Sequence, residues 1–499
     1  MAELLSIDVL LPWLLGMIFG VFVGATPGLT ATMAVALIVP ISFHLEPAAG
    51  LALIIGVSFT AIFAGDIPAT WLRIPGTPAS AAAVLDGHEM AKKGEGKFAL
   101  TLNLFCSCIG GLIGVLALIL IAPQLAKFAI KFTHYEKFWL AALGLSICLI
   151  VSRNGVFRAL VATLIGLMIS TIGIEESAAQ RFTFGQADLF DGFSQRGNGA
   201  GFIPVLIGLF GLSEVFKKLS QSDEQLPAAA GGGSGEKLRA LGEIWRKKWT
   251  VLKSSIAGLF LGALPGAGAD VAAWGAYGLA QKTSKNPEKF GTGCTEGVVA
   301  PTSANNAAVA GAWIPALVFG VPGDAVTAIV LGALLMYGIQ PGPEIFTNNA
   351  EQVQTIFWIA LITQFLLLIA GAFGIRAFGL ILKLPRSVVL TAVVVFSVIG
   401  AFAIRSSMFD VYVMIAAGVL GFSLERARVP LAPLILGLIL GPMLEENLRT
   451  GLIKSGGSFT PFLTRPISLT LASVLALAFV AGPALRLITG LKKGRFARR

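Results

Sequence analysis

Long apolar stretches alternate with short polar stretches along most of this chain. The apolar stretches run for about 15–25 residues, which is long enough to cross a bilayer as helices. The pattern predicts an all-α polytopic membrane protein with roughly 11–13 membrane segments. The uninterrupted segments are predicted near residues 98–122, 136–151, 155–174, 199–216, 353–374, 387–404, 409–424, 430–443 and 467–490.

The first apolar region is broken at residues 24–32, where GATPGLTAT places a Pro-Gly pair inside a predicted segment. Proline and glycine interrupt helices and leave backbone amides without partners at membrane depth. The arms on either side, 10–23 and 29–43, have about 14 and 15 residues and reach roughly 21–22 Å, less than the ~30 Å hydrocarbon core. Two short arms predict a re-entrant hairpin, with one long, kinked helix pair as the alternative.

A second copy of this break follows in the second half of the chain. A shift of 238 residues superimposes the pattern G-x-x-x-G-x-x-P-G at 20–28 on the same pattern at 258–266. A shift of 247 residues superimposes IPATWLRIPG at 67–76 on IPALVFGVPG at 314–323. Two matches in the same order and with similar shifts indicate an internal duplication.

Composition agrees with a membrane protein, because 55% of the residues are hydrophobic, only 13% are charged and the mean hydropathy is +0.82. The formal net charge of +10 lies in short loops and the C-terminal tail. This placement follows the positive-inside rule, so we predict a lipid bilayer and no nucleic acid as the partner of these charges.

Loop charge also predicts the orientation of the two copies. The N-terminus lacks Lys and Arg and is predicted outside, whereas MAKKGEGK (90–97), the loop 217–252 and the C-terminal tail are predicted in the cytoplasm. The two copies would then enter from opposite faces, as inverted-topology repeats of secondary transporters do. The charge of the loop 123–137 disagrees with this topology, because the loop should lie outside but carries three lysines. An interfacial helix is one explanation.

These features divide the chain into four parts. They are a first transmembrane repeat (1–216), a basic cytoplasmic linker (217–252), a second, inverted transmembrane repeat (253–443), and an extra C-terminal transmembrane helix with a basic cytoplasmic tail (444–499).

The Pro-Gly breaks and the polar residues near them are the candidate substrate site. A helix that starts after Pro-Gly presents free N–H groups and the positive end of its dipole, which suits a carboxylate or phosphate. For any single glycine, close helix packing is the alternative explanation. The candidate substrate-binding residues are Pro27, Gly28, Thr30, Ser58, Thr77, Pro265, Gly266, Thr302, Ser303, Asn305, Asn306 and Gly323.

Three acidic residues, Asp66, Asp270 and Asp324, lie within predicted membrane regions, where charges are costly and usually functional. They are candidates for binding Na⁺ or carrying a proton. Arg73 can pair with Asp66 or meet an anionic substrate, and Asp324 can instead cap the helix that follows its Pro-Gly pair. Motifs of hydrolases, zinc proteases and P-loop enzymes are lacking, so we predict no enzyme, no catalytic residue, no metal site and no cofactor besides a coupling ion.

The motifs quoted above, together with EGVVAPTSANNAAVAGAWIPALVFGVPGDA (296–325), resemble the large permease subunit of the tripartite tricarboxylate transporters over nearly the whole chain. The resemblance implies ion-coupled uptake of small carboxylates across a bacterial inner membrane, with a periplasmic solute-binding protein and a small membrane subunit as partners. It also implies a binding role for the two Pro-Gly breaks and the ANNA stretch. Asp66, Arg73, Thr302 and Ser303 depart from the residues usual in the family, so the substrate need not be a tricarboxylate.

We therefore expect a secondary transporter with a periplasmic N-terminus and a cytoplasmic C-terminus. The Pro-Gly tips and a break at Asn305-Asn306 would hold the anion between two inverted halves. Na⁺ is the expected coupling ion, with H⁺ through Asp66 or Asp270 as the alternative. An exporter, or a permease without a binding protein, is the runner-up. An intramembrane enzyme would need a paired nucleophile and base, and a channel would need polar lines along whole helices.

Overall fold

The computed structural model describes residues 4, 6–152, 155–174, 180–190, 201–219, 236–381, 383 and 385–479. Helices dominate both halves of the chain. The first half contains α1 (Ile7–Ala25), α2 (Ala31–Ser42), α3 (Pro47–Ala64), α4 (Asp66–Leu72), a 3-10 turn (Pro78–Ala81), α5 (Val84–Lys92), α6 (Gly96–Ala129), α7 (His134–Val151), α8 (Val156–Ser170), α9 (Ala187–Phe190), α10 (Phe202–Ile207), a π-helical stretch (Gly208–Leu212) and α11 (Ser213–Leu219). A two-stranded antiparallel pair, Gly173–Ile174 with Gln180–Arg181, follows α8.

The second half repeats the helical character. It contains α12 (Glu236–Arg246), α13 (Lys248–Gly262), α14 (Gly268–Thr283), a 3-10 turn (Pro287–Lys289), α15 (Thr295–Phe319), α16 (Ala325–Met336), α17 (Ile345–Asn348), α18 (Ala350–Ile381), α19 (Arg386–Arg405), α20 (Met408–Arg426), α21 (Leu431–Lys454), α22 (Thr460–Thr464) and α23 (Pro466–Phe479).

Eight helices among the described residues are apolar and long enough to cross a membrane: α1, α3 continued by α4, α6, α7, α18, α19, α20 and α21. Four shorter apolar helices, α2, α8, α16 and α23, accompany them. The prediction of an all-α, polytopic membrane protein is confirmed. The opposite orientation of the two repeats in the membrane stays a prediction.

The order of elements around the first Pro-Gly break recurs around the second. α1, α2, α3–α4 and α6 in the first half correspond to α13, α14, α15 and α18 in the second half. α13 and α14 pack against each other, as do α1 and α2, so the chain turns back on itself at each break. This geometry favours a hairpin over one kinked helix. α1 is longer than predicted, since its 19 residues span about 28 Å.

Matched glycines create matched helix crossings in the two halves. A Cβ atom at Gly24 would overlap the carbonyl oxygen of Ala61, and a Cβ atom at Gly262 would overlap the carbonyl oxygen of Ala308. Gly24 and Gly262 are related by the 238-residue shift, and Ala61 and Ala308 by the 247-residue shift. Only a residue without a side chain permits this backbone approach, so the glycines of the repeated motif set the spacing between helices.

The second Pro-Gly break of each half rests on the hairpin of the same half. Gly76 lies against the carbonyl oxygen of Gly24, and Gly323 lies against that of Gly262, at distances that leave no room for a Cβ atom. The two breaks within each half are therefore in direct contact.

The halves also interlock. The long α6 of the first half packs along α15, and the long α18 of the second half packs along α3. α7 and α8 pack on α21, while α20 packs on the π-helical stretch. Each half thus completes the buried surface of the other, and the shared core lies between them.

Several predicted boundaries differ from the structure. α6 continues through residues 123–129 and α7 begins at His134, so the interfacial helix considered for 123–137 is wrong. The added length is apolar at the turns that face the core, with Ala122, Ala126 and Ala129 fully or nearly fully buried. α21 runs from Leu431 to Lys454 and therefore crosses the domain boundary expected after residue 443.

Some predictions fall outside the described residues. They concern most of the linker between 220 and 235, parts of the acidic loops at 175–179 and 191–200, and the last segment and basic tail beyond residue 479.

Candidate functional site

The N-terminal ends of four helices, α2, α14, α16 and α21, meet around one cavity of about 570 Å³. Ligand pockets for small molecules usually measure about 300–1,000 Å³, so the cavity has a suitable size. Both halves of the chain contribute to its wall, together with Thr77 at the start of the first 3-10 turn. The helix starts contribute residues 30–32, 266–271, 324–326 and 430–433.

The starts of α14 and α21 present backbone N–H groups to this cavity. In the part of the chain that the structure describes, neither helix has a side-chain cap at its N-terminus. The first N–H groups of a helix have no partner within the helix, and the dipole makes this end positive. Gly266, in the turn before α14, has a φ of +76°. Its N–H donates a hydrogen bond to the carbonyl oxygen of Gly323 at 2.8 Å. The two breaks of the second half thereby shape one anion-compatible wall.

The start of α2 is capped differently. Thr30 is its N-cap, and the Thr30 hydroxyl accepts a hydrogen bond from the Met33 N–H at 3.1 Å. Ala31 and Thr32 follow it on the cavity wall. Gly28, in the turn before Thr30, has a φ of +86°, which matches the positive φ of Gly266 in the second copy.

Asp324 caps the start of α16 with its own side chain. Its Oδ1 accepts the Thr327 N–H at 2.8 Å, and the Asp324 N–H donates to the Thr327 hydroxyl at 3.0 Å. Thr77 and Ser80 form the corresponding capping box in the first half, related by the 247-residue shift. Helix capping, one of the two explanations offered by the sequence, is therefore the role that the structure shows for Asp324.

The cavity also contains charged residues that the sequence patterns did not single out. Glu214 and Glu425 line it, and the Lys217 Nζ lies 3.2 Å from a Glu214 oxygen and 3.5 Å from a Glu425 oxygen. Lys218 packs against Gly28, where its Nζ lies in the space a Cβ atom would take. The sequence contains one signal for this ion pair, a Glu-x-x-Lys spacing at the end of an apolar segment. The predicted linker 217–252 includes these lysines and therefore places them outside the site.

The structure brings together only some of the predicted site residues. Those that line the cavity are Thr30, Thr77, Gly266, Asp270 and Asp324. Those outside its lining are Pro27, Gly28, Ser58, Asp66, Pro265, Thr302, Ser303, Asn305, Asn306 and Gly323.

The expected break at Asn305-Asn306 is wrong, because α15 is continuous from Thr295 to Phe319. The hydroxyl groups of Thr302 and Ser303 donate hydrogen bonds to carbonyl oxygens of the same helix. Thr302 donates to the Val298 carbonyl at 2.8 Å, and Ser303 donates to the Val299 carbonyl at 2.7 Å. Ser58 behaves likewise in α3, donating to its own helix at 2.8 Å. Back-bonding of this kind lets hydroxyl residues stay inside apolar helices.

Asp66 belongs to a second, separate polar site, which we call the Asp66 cluster: Asp66, Asn103 and Asn305. Asp66 Oδ2 accepts hydrogen bonds from Asn103 Nδ2 at 2.8 Å and from Asn305 Nδ2 at 3.5 Å. These three side chains come from α4, α6 and α15, so the cluster joins the two halves. All three members are at most 1% exposed.

The pairing of Arg73 with Asp66, one of the two alternatives for Arg73, is wrong. The two residues stand at opposite ends of the seven-residue helix α4, where Asp66 begins the helix and Arg73 forms its C-cap with a φ of +60°. Arg73 is exposed, and no ion pair among the described residues involves Asp66. Gly320 takes the equivalent left-handed C-cap position after α15, which shows that the backbone and not the charge is repeated.

Comparison with known proteins agrees with this architecture. Residues 10–436 match the model of a family described as "Tripartite tricarboxylate transporter TctA family". An uncharacterized 52.8 kDa protein in the TAR-I ttuC' 3' region of Agrobacterium vitis is 35% identical over 468 residues, which cover 92% of this chain and 90% of the relative. An uncharacterized protein in the TAR-II ttuC' 3' region of the same organism is 41% identical over 223 residues, covering 45% and 91%. No solved structure matches the chain.

Proposed function

Because this chain belongs to the tripartite tricarboxylate transporter TctA family, we propose that it is the large membrane subunit of a secondary active uptake system for small carboxylates. The substrate would be a tricarboxylate or a related organic anion. The observation that carries the proposal is the cavity on which α14 and α21 both begin without a side-chain cap.

The two uncapped helix starts suit an anion with more than one carboxylate. Gly268 and Ala269 begin α14, and Leu431 and Ala432 begin α21, on the same cavity wall. An anion at a helix N-terminus gains about 0.3–1 kcal/mol when exposed and up to about 2 kcal/mol when partly buried. Two ends addressing two carboxylates would favour di- and tricarboxylates over monocarboxylates. The start of α16 does not offer the same N–H groups to a substrate, because the Asp324 side chain already caps this helix.

The family supports the remaining parts of the proposal. A periplasmic solute-binding protein would deliver the substrate, and a small membrane subunit would accompany this chain in a bacterial inner membrane. The chain would have its N-terminus in the periplasm and its C-terminus in the cytoplasm. Na⁺ would drive uptake, with H⁺ as the alternative coupling ion. Two interlocked halves that share one cavity are compatible with alternating exposure of that cavity.

A charge-only substitution at the cavity wall tests the binding site. Ala267 precedes α14, lines the cavity and already carries a Cβ atom. Ala267→Asp would place a negative charge beside the helix start, whereas Ala267→Asn has the same shape without the charge. We expect the affinity of the purified chain for labelled di- and tricarboxylates to be more than about tenfold lower in Ala267→Asp than in Ala267→Asn. Equal affinities would overturn the assignment of the carboxylate to this wall.

Uptake measurements test the transport mechanism separately. Membrane vesicles that contain this chain with its small subunit and binding protein should accumulate the carboxylate faster under an inward Na⁺ gradient. Equal uptake with and without that gradient would rule out Na⁺ coupling, and uptake driven by a pH gradient alone would favour H⁺. Uptake without any binding protein would favour the simpler permease.

A further inference from the structure

We propose that the Asp66 cluster is a binding site for a small monovalent cation, and its oxygen chemistry points to Na⁺. The inference deepens the proposed function by assigning the coupling ion to named residues. Only the use of the ion for coupling rests on that function, because binding of Na⁺ can be measured in the absence of transport.

The cluster contains more polar atoms than its hydrogen bonds satisfy. Within the part of the chain that the structure describes, Asp66 Oδ1 and Asn305 Oδ1 are buried and have no hydrogen-bond partner. Buried polar groups without partners destabilise the folded protein, and a buried carboxylate without a countercharge destabilises it more. Such a group of atoms is expected where a ligand supplies the missing contacts.

The missing contact is best supplied by a cation. No ion pair among the described residues neutralises Asp66, so a carboxylate at this depth needs a positive charge from elsewhere. A proton on Asp66 would turn one carboxyl oxygen into a donor that serves one of the buried acceptors. A cation bound by oxygen atoms would satisfy both acceptors at once.

The distance between Asp66 and Asn305 fits coordination better than hydrogen bonding. Their 3.5 Å separation is long for a hydrogen bond to a carboxylate. The amide nitrogen and oxygen of an asparagine exchange positions by rotation of the amide, which would bring Asn305 Oδ1 next to the carboxylate. Na⁺ is close to Ca²⁺ in size, and two neighbouring oxygen ligands at about 2.4 Å from such an ion lie about 3.4 Å apart.

The charge of the cluster selects a monovalent ion. It offers one carboxylate and neutral amide oxygens, which are hard ligands for hard cations. One carboxylate balances one positive charge, whereas Ca²⁺ sites usually collect several carboxylates.

The cluster also lies next to the substrate cavity. Gly65, which precedes Asp66, packs against Thr77 so closely that a Cβ atom there would lie 2.6 Å from the Thr77 hydroxyl oxygen. Thr77 lines the cavity, and the Gly76 N–H donates to the Gly65 carbonyl at 3.0 Å. An ion that fixes Asp66 would therefore fix the neighbouring wall of the carboxylate cavity.

Binding of ²²Na⁺ to the purified, full-length chain tests the site without carboxylate or partner proteins. Choline chloride keeps the ionic strength constant, and KCl tests the selectivity for ion size. We expect saturable Na⁺ binding by the wild type and an apparent Kd more than about tenfold higher in Asp66→Asn. Asp410→Asn is the matched control, since it neutralises another fully buried acid that belongs neither to the Asp66 cluster nor to the lining of the cavity, and its Na⁺ affinity should be unchanged.

Two outcomes would overturn the proposal: a wild type that binds no Na⁺, or an Asp66→Asn variant that binds it with unchanged affinity. If Asp66→Asn does not elute as a monodisperse protein, Asn305→Ala decides, because it removes an oxygen ligand but no charge. Unchanged Na⁺ affinity in Asn305→Ala would then overturn the proposal. Failure of carboxylate uptake alone would contradict the proposed function and leave this Na⁺ measurement intact.

Discussion

Asp86 connects the two halves through hydrogen bonds from four donors, so its contribution to stability can be predicted. It lies on α5 of the first half and is fully buried. Its carboxylate accepts the N–H groups of Gly291 at 3.0 Å, Gly293 at 2.8 Å and Cys294 at 2.8 Å, and the hydroxyl of Tyr277 at 2.9 Å. All four donors belong to the second half: Tyr277 lies on α14, and Gly291, Gly293 and Cys294 lie just before α15. Loss of the Asp86 charge should therefore loosen one half from the other.

The expected size of this effect follows from the number of hydrogen bonds. A hydrogen bond to a charged group contributes about 1.5–3 kcal/mol, and one between neutral groups about 0.5–1.5 kcal/mol. Asp86→Asn keeps the shape, but its remaining bonds become neutral and its amide NH₂ group cannot accept a hydrogen bond. At about 1–1.5 kcal/mol lost per bond, the four bonds together should lose about 4–6 kcal/mol. Tyr277→Phe removes one bond and should cost about 1.5–3 kcal/mol. Asp86→Ala leaves three backbone N–H groups without an acceptor and should cost the most.

Thermal unfolding of the detergent-solubilised protein, followed by tryptophan fluorescence, measures this ranking. We expect the melting temperature to fall from wild type through Tyr277→Phe and Asp86→Asn to Asp86→Ala. A melting temperature of Asp86→Asn equal to that of the wild type would refute the reasoning, because it would show that the carboxylate charge contributes nothing at this junction.

Two further predictions concern a helix crossing and a thiol. Gly262→Ala should lower the stability by about 1–3 kcal/mol, since its Cβ atom would collide with the backbone of Ala308, whereas Gly278→Ala meets no atom within 4 Å and should raise it by up to about 1 kcal/mol. Equal melting temperatures for the two variants would contradict the close crossing. Burial, and secondly the charge of Asp86, raise the pKa of the Cys294 thiol to about 12. N-ethylmaleimide at about pH 7.5 should therefore modify Cys294 more than about a hundredfold slower than a free cysteine, and peptide mass spectrometry measures this rate. Rapid modification of Cys294 in the folded protein would contradict its burial.

The sequence was informative wherever a residue type has a local backbone consequence. The Pro-Gly pairs predicted both hairpin breaks, and Gly28 and Gly266 indeed adopt the positive φ angles that glycine permits. Capping by Asp324 was among the stated alternatives because aspartate after a turn commonly starts a helix. The duplication predicts that helix starts from both halves meet at one site. It does not predict that α21 also starts at this site.

Contacts between distant parts of the chain were not predictable from one sequence. Asp86 carries no local signal for partners more than 190 positions away, and Asn103 reads as an ordinary polar residue in a long apolar helix until α4 and α15 pack against it. Asparagine is a poor helix former, yet α15 continues through Asn305 and Asn306. Tertiary packing of α15 on both halves outweighs that weak preference and keeps the helix intact.

The most direct test of the account is an experimental structure of the chain with a bound di- or tricarboxylate, determined by cryo-electron microscopy in the presence of Na⁺. We expect a carboxylate oxygen within about 3.2 Å of the backbone nitrogen of Gly268 or Ala269, with the second carboxylate directed to the start of α21 at Leu431. Ligand density outside this cavity, for example against Asn306, would contradict it.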